Sequence, residues 1–579
     1  MSVRRSLILP AAAVLAVVAA ALLPLGPPRA AAASAGAVGW RHYGNNLAND
    51  RFQNLDQINP GNVHTLRPAW VFHTGVLDPK ASLEVSPIVV GGVMYVTTGH
   101  DDVFALNAAT GRRLWAYHPE SQMPPLDAIK LCCGQNNRGV AFGDGKVFVG
   151  RLDDMLVALD AGTGKPVWQA KVASFKKGFS ITMAPQFFGG LVIVGTAGGE
   201  FDIRGKVEAF NAATGRPVWH FFTTLPGPTW QGSSWKNGGG PVWQTSAVDP
   251  RLGLLYVNIG NASPDLNGVR RAGRNLFTDS IVALDVRTGK VAWHFQEVHH
   301  DIWDYDAAQP PVLFNLHRGG TVLPALAECG KNNNIYILSR ASGQPIFPVT
   351  ETPVPSVKPG WQHPWPTQPV SSVQPLSPNK TVFPPGGHLP VRPKYTPPRR
   401  HKVVITPGSD GGCEWPPGAY SPRTHFFYAG ARYEPQIFRA APSQETGIGS
   451  TFTASIPNVR RDFGVFGAIN TETGKVAWAD RVPQPAKSGL LVAGNLVFFG
   501  QSNGQFDAAS AATGKILWAF DGTSLPHGGG ANAAPIAYQT SGTEFIANAF
   551  GGNEDDRGIE GSPVGDAIAA FALPPTATP

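Results

Sequence analysis

The sequence predicts an all-β chain, an eight-bladed β-propeller, on two observations. A unit reading roughly Ala-x-Asp/Asn-x-x-Thr-Gly-x-x-x-Trp recurs seven times, ending at Trp115, Trp168, Trp219, Trp293, Phe347, Trp478 and Trp518. Its glycines, Gly111, Gly164, Gly215, Gly289, Gly343, Gly474 and Gly514, are separated by 53, 51, 74, 54, 131 and 40 residues. Repeats of this period mean a solenoid, a propeller or an array of one supersecondary unit. In each copy, as in VFALNAATGRRLWAYH (103–118), alternating apolar residues precede and follow the Thr-Gly pair. That is strand, glycine turn, strand. A tryptophan at one fixed place in each hairpin reads as a wedge that packs one small sheet on the next. Sheets arranged radially leave only short, protected edges.

The long interval between Gly343 and Gly474 has room for one more blade without the motif. HKVVITP (401–407) and RTHFFYAGARY (423–433) read as its strands. Seven visible units and one hidden unit give eight; seven blades with a long insertion is the alternative. One propeller domain is expected over 36–573, since a repeat array overrides the several domains that such a length otherwise suggests. The same interval holds 16 prolines between Pro345 and Pro398, and so many missing N–H donors exclude central strands. Residues 345–400 read as a Pro-rich excursion, either ordered at the funnel mouth or a solvated loop.

Residues 1–35 read as a secretory signal peptide. Arg4 and Arg5 precede the apolar run SLILPAAAVLAVVAAALLPLG, and Ala33-Ser34-Ala35 fits a small-x-small cleavage site. No later apolar run reaches the ~18 residues of a membrane span, so none is expected. The net charge of +7 falls to +4 without Arg4, Arg5 and Arg29, and there is no basic stripe to argue for nucleic acid. Secreted or periplasmic localisation makes disulfides feasible for the four cysteines. Cys132 and Cys133 are neighbours, and adjacent Cα atoms sit closer than the usual disulfide window, so a bond between them requires a strained ring. Cys329 and Cys413 are a candidate pair. The chain has no Cys-x-x-Cys-His, which excludes covalent c-type haem.

Five further segments stand out: LCCGQNNRG (131–139), GTAGGEFDIRG (195–205), QGSSWKNGGGPVWQTS (231–246), YVNIGNASP (256–264) and HHDIWDYDAAQPP (299–311). With these and the repeat, the chain from about Trp40 to Phe571 resembles the pyrroloquinoline quinone (PQQ)-dependent alcohol dehydrogenases, whose propellers carry this tryptophan-docking motif. The resemblance implies that a Cys132–Cys133 ring covers one face of a flat quinone. It also implies that Trp243, which falls outside the repeat register, stacks on the other. Arg138 would contact the quinone oxygens and stabilise negative charge building there. Glu84, Thr182, Gly198, Gly199 and Lys331 carry over as further cofactor contacts. Glu200, Asn261 and Asp304 carry over as metal ligands, oxygen donors suited to a hard cation such as Ca²⁺. Asp306 is an extra acid typical of lanthanide-using members, so Ca²⁺ and a lanthanide ion both stay open.

Asp304 is also the implied catalytic base, taking the substrate hydroxyl proton as hydride passes to metal-polarised PQQ. Electrons would then leave to a separate acceptor such as a soluble cytochrome c. Lys331 and the segments PVTETPVPS and PTQPV are nearer the membrane-type sugar and polyol branch. Two positions depart from the family pattern. Pro241 removes a hydroxyl often found there, and Glu414 stands where many members have Asn. Primary alcohols, polyols, aldoses and aldehydes all remain open as substrates. Two other readings stand beside the enzyme. One is a non-catalytic protein-binding propeller of the outer-membrane assembly type. The other is a degenerate enzyme without cofactor.

Overall fold

A computed structural model describes residues 37–355, 362–382, 389–439, 462–553 and 562–575. The expected signal peptide, 1–35, lies outside the described residues. The described chain forms eight radially arranged sheets of up-and-down antiparallel strands. Blade 1 runs from Ile88–Val90 through Val93–Thr97 and Val103–Asn107 to Arg113–Tyr117, from the innermost strand outwards. Blades 2, 3 and 4 repeat this order and end at Pro166–Lys171, Pro217–Phe222 and Val291–Gln296. Blade 5 keeps three strands, Val312–Arg318, Thr321–Cys329 and Ile335–Ser339. Blade 6 ends at Lys475–Val482 and blade 7 at Ile516–Asp521.

Blade 8 corrects the expectation for the hidden unit. It joins Ile536–Thr540, Thr543–Phe550 and Ala567–Ala572 to Arg67–His73 from the other end of the chain, with Trp70 opposite Ala570. The interval after Gly343 adds no blade. RTHFFYAGARY supplies Phe426–Tyr433, the second strand of the blade that already ends in Trp478. HKVVITP supplies Val403–Ile405, which pairs with Gln436–Phe438 and bridges Val391, away from the blades. The count of eight therefore holds, but the eighth unit is the split one that closes the ring.

The repeat is a docking device between blades. Gly111 has φ +70°, and a Cβ there would lie 2.5 Å from the Trp70 ring. Only glycine meets both conditions without strain. The Trp70 indole Nε1 donates to the Ala108 carbonyl at 3.1 Å, three residues before that glycine. The same bond recurs from Trp115 to Ala161, Trp168 to Ala212, Trp219 to Val286, Trp293 to Arg340 and Trp478 to Ala511. Trp518 donates to Leu66, just ahead of the closing strand, so the last docking bond completes the circle. Phe347 packs against Gly474 with no N–H to give.

The described part of the Pro-rich excursion is ordered and braces two loops. Val349–Pro353 pairs with Thr367–Ser371 outside the blades, consistent with the proline argument. Gln368 is fully buried and clamps His299, its Oε1 accepting from the backbone N–H at 2.8 Å and its Nε2 donating to the carbonyl at 2.7 Å. Gln362 accepts from Gly268 N–H and donates to the Leu266 carbonyl, while Trp303 donates to the Thr396 carbonyl. The segment that carries Asp304 and Asp306 is thus held at His299 and Trp303, just ahead of the two acids.

Candidate active site

In a four-stranded up-and-down blade, two kinds of loop emerge at one end: the crossover from an outermost strand to the next innermost one, and the loop between the second and third strands. Crossovers carry Glu84, Cys132, Cys133, Arg138, Thr182, Trp243, Asp304 and Asp306. Second-to-third-strand loops carry Gly198, Gly199, Glu200, Asn261 and Lys331. Every residue expected at the site therefore lies on one face of the propeller. A cavity of about 290 Å³ opens there, and all of them line it except Gly199 and Asn261, which sit directly behind. Gly199 is the contact point of those two: a Cβ on it would come within 2.9 Å of the Asn261 Oδ1.

Four oxygen-bearing side chains converge on one side of the cavity. Lys331, buried, donates from Nζ to Asp304 Oδ2 at 3.2 Å and to Asp306 Oδ1 at 3.0 Å. Trp243 Nε1 donates to the other Asp306 oxygen at 3.0 Å. Asp304 has φ +64°, a left-handed conformation that is uncommon for a non-glycine residue and concentrates at functional sites. The Glu200 Oε2 and Asn261 Oδ1 are buried and accept no hydrogen bond, while the Asn261 amide nitrogen donates to Asp265 Oδ1 at 2.8 Å. Burial, reinforced by repulsion from Asp306, pushes Glu200 up to about 7. Burial also raises Asp304 well above the usual carboxylate range; Lys331 opposes this, and Asp306 and Asp265 add to it. For Asp306, Lys331 and the indole bond outweigh burial and hold the acid below its ordinary value. Crowded carboxylates with unpaired buried oxygens fit a hard cation, which satisfies both.

The rest of the cavity fits a flat anionic ligand. Cys132 and Cys133 form a disulfide between neighbours, with Cα atoms 3.8 Å apart, on exposed backbone at the cavity. Cys329 and Cys413 are also bonded, and they anchor the turn that carries Lys331: Gly412 N–H donates to the Lys331 carbonyl. Arg138 is buried, pairs with Glu84 at 2.7 Å and lies over two indoles, Trp243 at 5.1 Å and Trp415 at 5.3 Å. Its Nε and the Thr182 hydroxyl are buried with no hydrogen-bond partner. Two unpaired donors and an aromatic surface suit the carboxylates and the ring system of a quinone.

Both departures from the family pattern have structural partners. The Pro241 ring packs on Gly199, and its carbonyl accepts from Gly260 N–H. Glu414 Oε2 accepts from Arg432 Nη2 at 3.2 Å and from Trp415 N–H, so it offsets a buried guanidinium at the cavity wall. Trp415, Arg432, Asp265 and Lys487 line the cavity and escaped the sequence reading. Only Asp265, four residues after Asn261 in the same loop, carried a local signal.

Residues 40–384 match the family described as PQQ glucose/ethanol/alcohol dehydrogenase, β-propeller domain. Residues 438–553 match that of the outer membrane protein assembly factor BamB, over the copies ending at Trp478 and Trp518. The quinohemoprotein alcohol dehydrogenase of Comamonas testosteroni is 33% identical over 546 residues, 88% of this chain and 72% of the relative. A quinoprotein alcohol dehydrogenase of Pseudomonas putida is 33% identical, covering 86% of this chain and 83% of its own. A solved europium-containing methanol dehydrogenase superposes with a TM-score of 0.77 at 29% identity, over 93% of this chain and 98% of that one. With the site and these likenesses together, the chain belongs to the PQQ-dependent alcohol dehydrogenases, oxidoreductases that act on CH–OH groups with PQQ and Ca²⁺ or a lanthanide ion.

Proposed function

We propose that this protein, exported and freed of residues 1–35, oxidises a primary alcohol, polyol or sugar hydroxyl outside the cytoplasm and passes the electrons to a soluble cytochrome c. The observation that carries the reading is the convergence of Asp304, Asp306, Glu200 and the unpaired Asn261 oxygen beside a cavity bordered by the Cys132–Cys133 ring and Trp243. When bound, PQQ supplies a quinone carbonyl that accepts the hydride equivalent, and the metal ion acts as a Lewis acid upon it. Glu200, Asn261, Asp304 and Asp306 would hold the ion. Arg138, Thr182 and Lys331 would pair with the cofactor's oxygens, while Trp243 and the disulfide bound its ring; Glu84, Gly198 and Gly199 complete the cradle.

Asp304 takes the proton of the substrate hydroxyl at a carboxylate oxygen, a general-base role worth roughly 10²–10⁴ in rate. Lys331, within hydrogen-bond reach of both aspartates, fixes that carboxylate and balances the charge of the pair. Dye-linked dehydrogenase activity of the purified mature protein tests the reading, with PQQ and either Ca²⁺ or La³⁺ over a panel of alcohols, polyols and aldoses. PQQ-dependent turnover supports it. Failure with every pairing, with no PQQ bound in the same samples, moves the weight to a binding propeller.

A further inference from the structure

A second cluster of metal-ligating side chains lies on the cavity-bearing face, at the seam where the ring closes. His73 ends the strand Arg67–His73 and begins the crossover that carries Glu84. Asp566 immediately precedes Ala567–Ala572, and His527 lies in the crossover from blade 7 to blade 8. His73 Nδ1 is 2.8 Å from Asp566 Oδ1, and His527 Nδ1 is 3.9 Å from the same oxygen. One ligand atom from each of the three residues falls within 4.8 Å of the others. The Asp566 side chain is only 2% exposed, whereas those of His73 and His527 are 39% and 61% exposed.

The backbone holds this arrangement in place. Gly75 N–H donates to Asp566 Oδ2 at 2.8 Å, Thr74 N–H to the Asp566 carbonyl at 3.0 Å, and Asp566 N–H to the His527 carbonyl at 2.9 Å. The carboxylate is therefore fixed to both histidine-bearing segments through main-chain bonds, and the two imidazoles lie with ring centroids 5.4 Å apart.

We propose that His73, His527 and Asp566 form a binding site for a divalent first-row transition ion, of the Zn²⁺ or Cu²⁺ class. Two imidazoles and one carboxylate select such ions over Ca²⁺ or a lanthanide, which take oxygen donors. Bonds of about 2.0–2.1 Å put neighbouring ligands of a tetrahedral ion roughly 3.3 Å apart, so His73 and Asp566, now 2.8 Å apart, separate by about half an ångström on binding. The exposed His527 ring shifts by up to about 1.5 Å to complete the set, and the solvent side leaves a fourth position open for water. Because the ligands come from the closing strand, the last blade and the crossover before it, a bound ion ties the seam of the ring.

The test is calorimetric titration with Zn²⁺ of the mature protein already loaded with PQQ and Ca²⁺, so that the oxygen-rich site is filled. One Zn²⁺ per chain is expected. His73→Ala and His527→Ala should each weaken it by at least roughly tenfold, and Zn²⁺ should raise the thermal midpoint of the wild type but not of these variants. Both histidines are exposed, so neither change threatens folding. No binding to the wild type at millimolar Zn²⁺, or equal affinity in the wild type and both variants, overturns the proposal.

Discussion

Asp306 has a specific donor for each oxygen, Lys331 on one and Trp243 on the other, and these hold it ionised where its buried neighbours are pushed towards neutrality. A third anionic donor, beside Glu200 and Asp304, is what a trivalent ion needs beyond a divalent one. Asp306→Ala is therefore expected to abolish La³⁺-supported turnover and to spare Ca²⁺-supported turnover; equal losses with both ions count against the lanthanide reading. A second residue-scale prediction concerns Glu297 and Glu328, both fully buried; burial, reinforced by repulsion from Glu328, holds Glu297 well above its ordinary value. Burial pushes Glu328 up to about 8. Its folded value lies above its unfolded one, so the folded state binds the extra proton, and stability drains away as pH rises from about 4.5 towards 8. Glu328→Gln carries no such penalty, so it should gain stability over the wild type by at least about 1 kcal/mol at pH 9 relative to pH 5. Urea unfolding at the two pH values measures it; parallel losses in both proteins refute it. Asp304, Asp306, Glu200 and Asn261 were legible because each sits in a compact local motif. Their partnership with Lys331 was not, because 25 residues and a whole blade edge separate it from Asp306.

At the scale of elements, the docking motif explains why glycine recurs at one position. Gly164, with φ +71°, would place a Cβ 2.5 Å from the Trp115 ring. Gly164→Ala adds left-handed strain to overpacking, so a loss of about 2 kcal/mol or more is expected. A chemical denaturation midpoint within error of the wild type would remove the docking account. The strand–turn–strand units were readable from the period-2 pattern and the Thr-Gly pair. The prolines showed where blade strands cannot run, but composition says nothing about where a side-chain amide points. The hold of Gln368 on the Asp304 loop appears only in three dimensions. Gln368→Ala should lower kcat with PQQ affinity unchanged, since it loosens the segment that carries the base without touching the cofactor cradle. A drop in PQQ affinity with normal kcat would contradict that role.

Over the whole molecule, closure depends on pairing Arg67–His73 with Ala567–Ala572, at opposite ends of the chain, and on the Trp518 bond to Leu66. This is why the eighth blade was misplaced in the sequence: its strands are divided between the termini, and Trp70 stands alone without a Thr-Gly hairpin before it. Deleting residues 37–73 leaves blade 8 with three strands and an exposed edge, and it removes one of the two seam histidines. The expected result is loss of the single cooperative thermal transition expected of the intact protein. The account as a whole rests on Asp304 acting as a base beside a bound quinone. Its most direct test is to reconstitute the mature wild type and Asp304→Asn with PQQ and the better of Ca²⁺ and La³⁺, then to measure bound PQQ and dye-linked turnover in the same samples. The account predicts PQQ bound by both proteins and turnover by the wild type alone, and retained turnover in Asp304→Asn would contradict it.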